Sequence, residues 1–526
     1  MGHQQEHDFN GSSTLLPLEP VVVVMFPFPT QGHFSAVVHL SHLLSARGIP
    51  VHFICTAVNI QQITQRVQAG NLSATNPIQF HDLGIHSFPS PTPDPNSSNK
   101  LPVQLAPTFE GVVNFHQPLA ELISSLSATA QRVVLVHDCF MAFAVEKASS
   151  SAKIHNLEVY CFSPFTIFTA LYTRWEIYGR PNWPSFEYLK EYSHQLTIDG
   201  CLLDGFFEKI MSPQMKLASQ ISSGYIYNTC RPLEGKFIDI LLSVPPFQGG
   251  NMTLWCLGPL VGRLPAVGGT PQKSSAASVK SRYKCLEWLD AQPQNSVLYV
   301  AFGTATTLSE EEINQLAKGL DCSQHRFIWV FREADRNDVV DANNEVRRIG
   351  LPIGFEKRVT EGGMGMIVRD WAPQVEILAH PSTGGFLSHS GWNSVVESLG
   401  MGVPMAVWPM HSDHPWNAVL VTEVLKVGVF VQEWANRNDL VSSTMIDKVV
   451  RKLMDSDDGK DMRRRAEELS LALRKSVLPA EGMSSTEELD LFIKHISRSL
   501  KIKLFKCCFY FLSINSVRAY VCASFF

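Results

Sequence analysis

Runs that are apolar at every position alternate with amphipathic stretches along this chain, and the alternation predicts a parallel α/β architecture. Residues 21–25 (VVVVM) are continuously apolar and mostly β-branched, the pattern of a strand buried on both faces. The run leads into the turn-rich Pro27-Phe28-Pro29-Thr30-Gln31-Gly32-His33, after which Ala36, Val37, Leu40, Leu43 and Leu44 recur at helical spacing until Gly48. A second strand over 51–55 completes a β-loop-α-β unit. Further strands are expected over 133–136, just before His137-Asp138, and near 159–162, so the first half reads as a doubly wound sheet.

The pattern pauses between Gly262 and Ser281, where Gly, Pro, Ser and Ala dominate. Beyond it the alternation restarts with a strand over 296–302 ending at Gly303-Thr304, a helix over 310–319, a strand over 326–331 and further βα units to about 478. The expected organisation is an N-terminal Rossmann-like domain (1–261), a linker (262–282), a second Rossmann-like domain (283–478), a C-terminal helical segment (479–500) and an atypical tail (501–526). That tail holds three cysteines and four basic residues but no acidic one. Two such domains in tandem leave a cleft between them for ligands.

A chain of 526 residues can bury two large cores, and 45% hydrophobic with 18% charged residues excludes a disordered or coiled-coil protein. A net charge of −5 excludes a broad basic surface, so neither nucleic acid nor anionic lipid is an expected partner. The eleven cysteines include no C-x-x-C pair; Cys55, Cys139, Cys161, Cys201, Cys230, Cys256, Cys285 and Cys322 are scattered singly and read as buried thiols. Residues 1–20 show no secretory pattern and the apolar run over 21–28 is too short to span a bilayer, so a cytoplasmic, uninserted monomer is expected.

The chemistry concentrates in 371–414. There His389-Ser390-Gly391-Trp392-Asn393-Ser394 precedes a helical stretch that ends at Gly400 and Gly402. A glycine-bearing turn into a helix start gathers unpaired backbone N–H groups and could hold a diphosphate; an ordinary helix cap explains the same turn. The whole stretch, WAPQVEILAHPSTGGFLSHSGWNSVVESLGMGVPMAVWPMHSDH, resembles the plant secondary product glycosyltransferase box of the family 1 UDP-glycosyltransferases and matches its length. Membership would imply a GT-B fold, two doubly wound domains facing across a cleft.

The resemblance implies a role for each matching residue. Trp371 would stack on uracil, with the Ala372 backbone and Gln374 holding base and ribose and Glu397 accepting from the ribose hydroxyls. His389, Gly391, Asn393, Ser394 and Thr304 would surround the diphosphate, and Trp392, Asp413 and His414 would face the sugar. His33 matches the family's catalytic base in Pro-x-x-x-Gln-Gly-His, and Asp138 its carboxylate partner. Two departures stand out: Ser390 replaces the usual Cys, and His414 replaces the Gln of glucosyl transferases, so glucose is only the default sugar, with galactose and xylose open. No metal site or cofactor is expected beyond the UDP-sugar donor itself, because Asp455-Ser456-Asp457 sits in a charged run that reads as a solvated loop.

Residues 20–25, 49–53, 78–82 and 89–96 resemble the family's zeatin O-glucosyltransferase branch. The expected activity is therefore inverting transfer of a hexose or xylose to the side-chain hydroxyl of a zeatin-type cytokinin. The alternatives are a flavonoid or phenolic glycosyltransferase of the same family and an inactive sugar-nucleotide-binding relative. Phe162, Phe165 and Phe168, near Tyr172 and Trp175, are spaced like a helix face and read as core with some pocket lining, Arg463-Arg464-Arg465 as an exposed helix face, and Leu489, Phe492, Ile493 and Ile496 as the docking side of a C-terminal helix.

Overall fold

The protein is described by a computed structural model over residues 20–57, 59, 60, 63, 78–84, 100, 105–152, 154–192, 196–198, 200–202, 205–250, 252–261, 283–331, 350–369, 371–477 and 485–498. The expected linker (262–282), the tail (501–526) and all of the proline-rich 89–100 loop but Lys100 lie outside the described residues.

The first sheet contains β1 (Val22–Phe26), β2 (Val51–Cys55), β3 (Gln79–Asp82), β4 (Val133–Asp138), β5 (Leu157–Ser163), β6 (Gly224–Tyr227) and β7 (Thr253–Cys256). Its order is β3-β2-β1-β4-β5-β6-β7 with every neighbouring pair parallel. The second contains β8 (Val297–Ala301), β9 (Arg326–Val330), β10 (Gly365–Val368), β11 (Thr383–Ser388), β12 (Met405–Val407) and β13 (Gly428–Phe430), in the order β10-β9-β8-β11-β12-β13, again parallel. Both are doubly wound. Parallel strands covered on both faces must be apolar throughout, which is why β1, β4 and β8 are buried at every position.

Strand order reverses between β1 and β4 in one sheet and between β8 and β11 in the other. In open sheets the loops after the strands that flank a reversal diverge and leave a crevice. In the first sheet the chain after β1 carries His33 and the end of β4 carries Asp138; in the second the loops carry Gly303-Thr304 and His389-Ser390-Gly391.

The helix Ser485–Ile496 closes the fold by packing on the first sheet, although it lies at the other end of the chain. Leu489, Phe492 and Ile496 are buried with Val21, Val23, Phe53, Val134 and Tyr160, and burying a side chain of that size contributes roughly 1.5–3 kcal/mol. Arg132 donates to Glu158 Oε2 (3.1 Å) and to the Ile496 carbonyl (3.0 Å), while Arg498 donates to the other Glu158 oxygen (2.6 Å). The buried guanidinium thus has both a charge partner and a helix-end carbonyl, as an ion pair away from water requires.

Four expectations change. The helix after β1 begins at Gln31, so His33 lies in its first turn and not in the preceding loop. Cys322 is exposed, while the other seven described cysteines are buried. Arg463 is partly buried beside Glu467, leaving only Arg464 fully on the solvent side of that triplet. The aromatic series does not form one helix face: Phe162 belongs to β5, Phe165 precedes the helix Ile167–Ile177, and only Phe168, Tyr172 and Trp175 lie on it, all three buried.

Candidate active site

Asp138 ends β4 and turns into the short helical turn Cys139–Met141, whose Phe140 N–H donates to Asp138 Oδ1 at 2.9 Å. Its other oxygen lies 2.8 Å from His33 Nδ1. An ionised carboxylate can only accept, so the pair places the imidazole proton on Nδ1 and leaves the Nε2 lone pair unprotonated. Asp138 is fully buried; the His33 side chain keeps 16% of its surface accessible. The arrangement is that of an oriented base facing an open space.

Aromatic rings surround that base. Phe28, Phe140 and Phe165 stand 5.2, 5.6 and 6.0 Å from the His33 ring, and Phe109 packs against Phe28, Phe140 and Phe206. Such walls suit a flat, weakly polar molecule. Phe109, Phe140 and Phe206 were not singled out from sequence; they come from three separate elements, and only their spatial convergence marks them.

Across the cleft, Trp371 leaves 42% of its surface exposed while Ala372 beside it is buried. Gln374 donates to Ser394 Oγ (3.0 Å) and Glu397 Oε2 (2.6 Å) and accepts from the Tyr299 hydroxyl (3.2 Å). Burial pushes the Glu397 carboxyl up to about 7 against the donation from Gln374. One network therefore fixes Gln374, Ser394 and Glu397, with Tyr299 as a member that the sequence did not announce.

The helix Trp392–Met401 starts behind Gly391, so its first amides have no partner within the helix. His389 packs at this point, a ring N–H donating to the Ala301 carbonyl, and burial lowers its pKa to about 4. A Cβ on Gly303 would meet His389 Nε2 at 2.6 Å and one on Gly391 would meet it at 2.5 Å, so both glycines make room for this ring. Gly303 also has φ +74°, a left-handed conformation that side chains disfavour. Thr304 follows it, partly buried.

The sugar-facing expectation divides. Asp413 has its carboxyl pushed up to about 6, mainly by burial, against the donation from Asn417. By contrast, His414 is turned inward, accepting on Nδ1 from the Met410 and His411 amides at 3.4 and 3.3 Å and packing 4.7 Å from His389 and 4.3 Å from His411. Trp392 is also buried, its indole N–H donating 2.9 Å to the Asn228 carbonyl of the first domain. Asn393 Nδ2 donates to the Gly32 carbonyl at 2.8 Å. Asn417, unnoticed in the sequence, ties the box together by donating to both the Ser390 carbonyl (2.9 Å) and Asp413 Oδ2 (2.7 Å). Among the described residues no group of three or more His, Cys, Asp or Glu side chains could hold a metal ion, and no helix is long and apolar enough to cross a membrane.

Comparison with known proteins matches residues 19–262 to the family model for the glycosyltransferase N-terminal domain and residues 265–460 to that for UDP-glucuronosyl and UDP-glucosyl transferases. The chain belongs to the UDP-glycosyltransferase family. It is 43% identical to a zeatin O-glucosyltransferase of Phaseolus lunatus, covering 91% of this chain and 97% of that one. Identity to a zeatin O-xylosyltransferase of Phaseolus vulgaris is 42%, covering 91% and 98%. Among solved structures, a UDP-glucosyltransferase from Polygonum tinctorium capable of glucosylating indoxyl, in complex with 3,4-dichloroaniline, superposes with a TM-score of 0.68 at 28% identity, covering 92% of this chain and all of that one. This UDP-glycosyltransferase therefore has the GT-B architecture, with its paired sheets opening on a shared cleft.

Proposed function

We propose that this protein is an inverting, UDP-sugar-dependent O-glycosyltransferase that moves glucose or xylose to the side-chain hydroxyl of a zeatin-type cytokinin. The observation that carries the reading is the His33–Asp138 pair, held at 2.8 Å with the carboxylate buried and the imidazole still partly exposed. His33 Nε2 takes the proton of the acceptor hydroxyl while its oxygen forms a bond to the anomeric carbon. The bond from that carbon to the β-phosphate oxygen breaks, and its electron pair leaves on UDP. Asp138 stabilises the imidazolium that results. A single displacement inverts the anomeric centre, so an α-linked donor gives a β-glycoside.

On the donor side Trp371 stacks on the uracil, with the Ala372 backbone, Gln374 and Glu397 holding base and ribose. His389, Gly391, Asn393, Ser394 and Thr304 stabilise the diphosphate, and Asp413 is the side chain that faces the sugar, since His414 is packed against His389 instead. Hydrogen bonds and the helix start replace a metal ion as the means of stabilising the leaving group, and no cofactor is used. The aromatic walls formed by Phe109, Phe140, Phe165 and Phe206 suit a purine ring. The relatives' names carry both a glucosyl and a xylosyl transferase at nearly equal identity, so both sugars belong in the reading. The protein works as a monomer in the cytoplasm, with small molecules as its partners.

The test is incubation with zeatin and UDP-glucose, UDP-xylose or UDP-galactose. Acceptor-dependent release of UDP with formation of an O-glycoside supports the reading. UDP binding without turnover on any of the three donors removes it.

A further inference from the structure

Two consecutive residues at the start of the donor-side helix reach into the other domain. Asn393 does so through Gly32, as described, and Trp392 through the carbonyl of Asn228. Asn228 is buried just beyond β6, and its side-chain Oδ1 accepts from the Leu260 amide at 2.6 Å. Leu260 lies where the chain leaves the first sheet for the second. Beside it, Gly258 N–H donates to the Thr229 carbonyl at 2.9 Å, and a Cβ at Gly258 would fall 2.7 Å from the Asn228 carbonyl carbon. The covalent crossing between the domains and the first turn of the donor-side helix are therefore pinned to the same residue, one by its side chain and one by its main chain.

We infer that Asn228 and Trp392 form the pivot that sets the two domains at the separation transfer requires, which makes Trp392 a positioning residue and not a sugar contact. The indole is 3% exposed, and its only N–H is already engaged. A tryptophan side chain has no second polar group to offer a sugar hydroxyl, so any sugar contact at this position is left to its main-chain N–H. What the contact does fix is the distance between the helix that presents the donor and the lobe that carries His33. Displacing one reacting group by about 1 Å can cost about 10²-fold in rate. The inference rests on the transfer reaction proposed above.

Trp392→Phe keeps an aromatic side chain but removes the indole N–H donor, and Asn228→Ala removes the Leu260 contact from the opposite side. For each variant, kcat with both substrates saturating and the dissociation constant for UDP alone are measured. A pivot predicts that kcat falls about 10–100-fold in both while UDP affinity changes by less than about twofold, because the nucleotide site lies wholly in one domain. The double variant should lose less than the product of the two single losses, since both changes loosen one joint. Hydrogen exchange at the Leu260 amide should rise in Asn228→Ala.

An unchanged kcat in Trp392→Phe overturns the inference. So does a raised KM for the UDP-sugar with kcat and UDP affinity intact, the signature of a direct sugar contact. If Trp392→Phe fails to fold, Asn228→Ala alone decides by the same two measurements. A wild-type protein with no transfer activity contradicts the proposed function instead, and is recognised before any variant is made.

Discussion

Asn393, the second residue of the donor-side helix, donates its amide to the carbonyl of Gly32, the residue immediately before His33. The first turn of one domain is thereby tied to the main chain that carries the base of the other. A side chain of one domain and the residue beside His33 in the other are thus joined by one direct hydrogen bond between the domains.

Replacing the base tests the chemistry most directly. His33→Ala should leave UDP binding nearly intact and reduce transfer by about 10²–10⁴-fold, the usual range for a general base. Steady-state kcat and a UDP titration separate the two effects, and an undiminished rate would remove His33 from the mechanism.

Asp138→Asn keeps the shape of the buried side chain. Its Oδ1 can still accept from Phe140 N–H, but the amide nitrogen then faces His33 Nδ1 as a donor. The ring must move its proton to Nε2 and loses the lone pair meant for the acceptor hydroxyl. A loss of about 10²–10⁴-fold in kcat with little change in melting temperature is expected. A large drop in melting temperature with normal kcat would assign Asp138 a structural role only.

Gly303→Ala places a Cβ 2.6 Å from His389 Nε2 at a backbone position with φ +74°. The ring must shift, and the left-handed backbone adds a cost of about 1–2 kcal/mol. UDP affinity should fall by about tenfold or more, read by titration, whereas His33→Ala should not affect it. Unchanged UDP binding would show that the His389 ring is not needed where it stands.

Stability should depend on pH through Glu234. This carboxylate is buried and accepts from the Ile167 and Phe168 amides at 3.0 and 2.8 Å, capping the helix Ile167–Ile177, and burial raises its pKa from 4.5 to about 7. The folded protein holds a proton in that window which the unfolded chain has released. The group therefore adds stability as pH falls from about 7 toward 4.5 and withdraws it as pH rises through the same range. Glu234→Gln cannot ionise. Its melting temperature should fall less than that of the wild type as pH rises from about 4.5 to about 7, measured by thermal unfolding; parallel curves would discount the group.

The strands around the cleft were legible because burial on both faces leaves an uninterrupted apolar run, as in β1 and β4. β3 was not, for the opposite reason: it is an edge strand reading Gln-Phe-His-Asp, with no residue fully buried and nothing in its pattern to separate it from a loop. His33 was placed in a loop because Pro27, Pro29 and Gly32 are turn residues, yet the helix begins within that sequence, at Gln31. The long motif over 371–414 made the donor-side residues readable through resemblance. Asn228, Asn417 and Phe206 lie outside that motif and carry no such signal, and His411, although inside it, has packing partners that the motif does not reveal. His411, for example, faces Thr306 Oγ1 at 3.3 Å from more than a hundred residues away, a meeting that exists only once the second sheet is assembled. For Trp392 and His414 the motif supplied a position in the sequence, while packing decided where each side chain points.

The helix Ser485–Ile496 has a practical consequence for dissecting this protein. Its Phe492 fills space between Tyr160 and Trp255, so the N-terminal half is finished by a segment from far along the chain. A fragment ending at residue 261 would expose the apolar patch meant for that segment and should aggregate, and supplying 485–498 as a separate peptide should rescue its solubility. Nascent chains face the same gap: until residues 485–498 have emerged, the half that was made first has no cover for that part of its sheet.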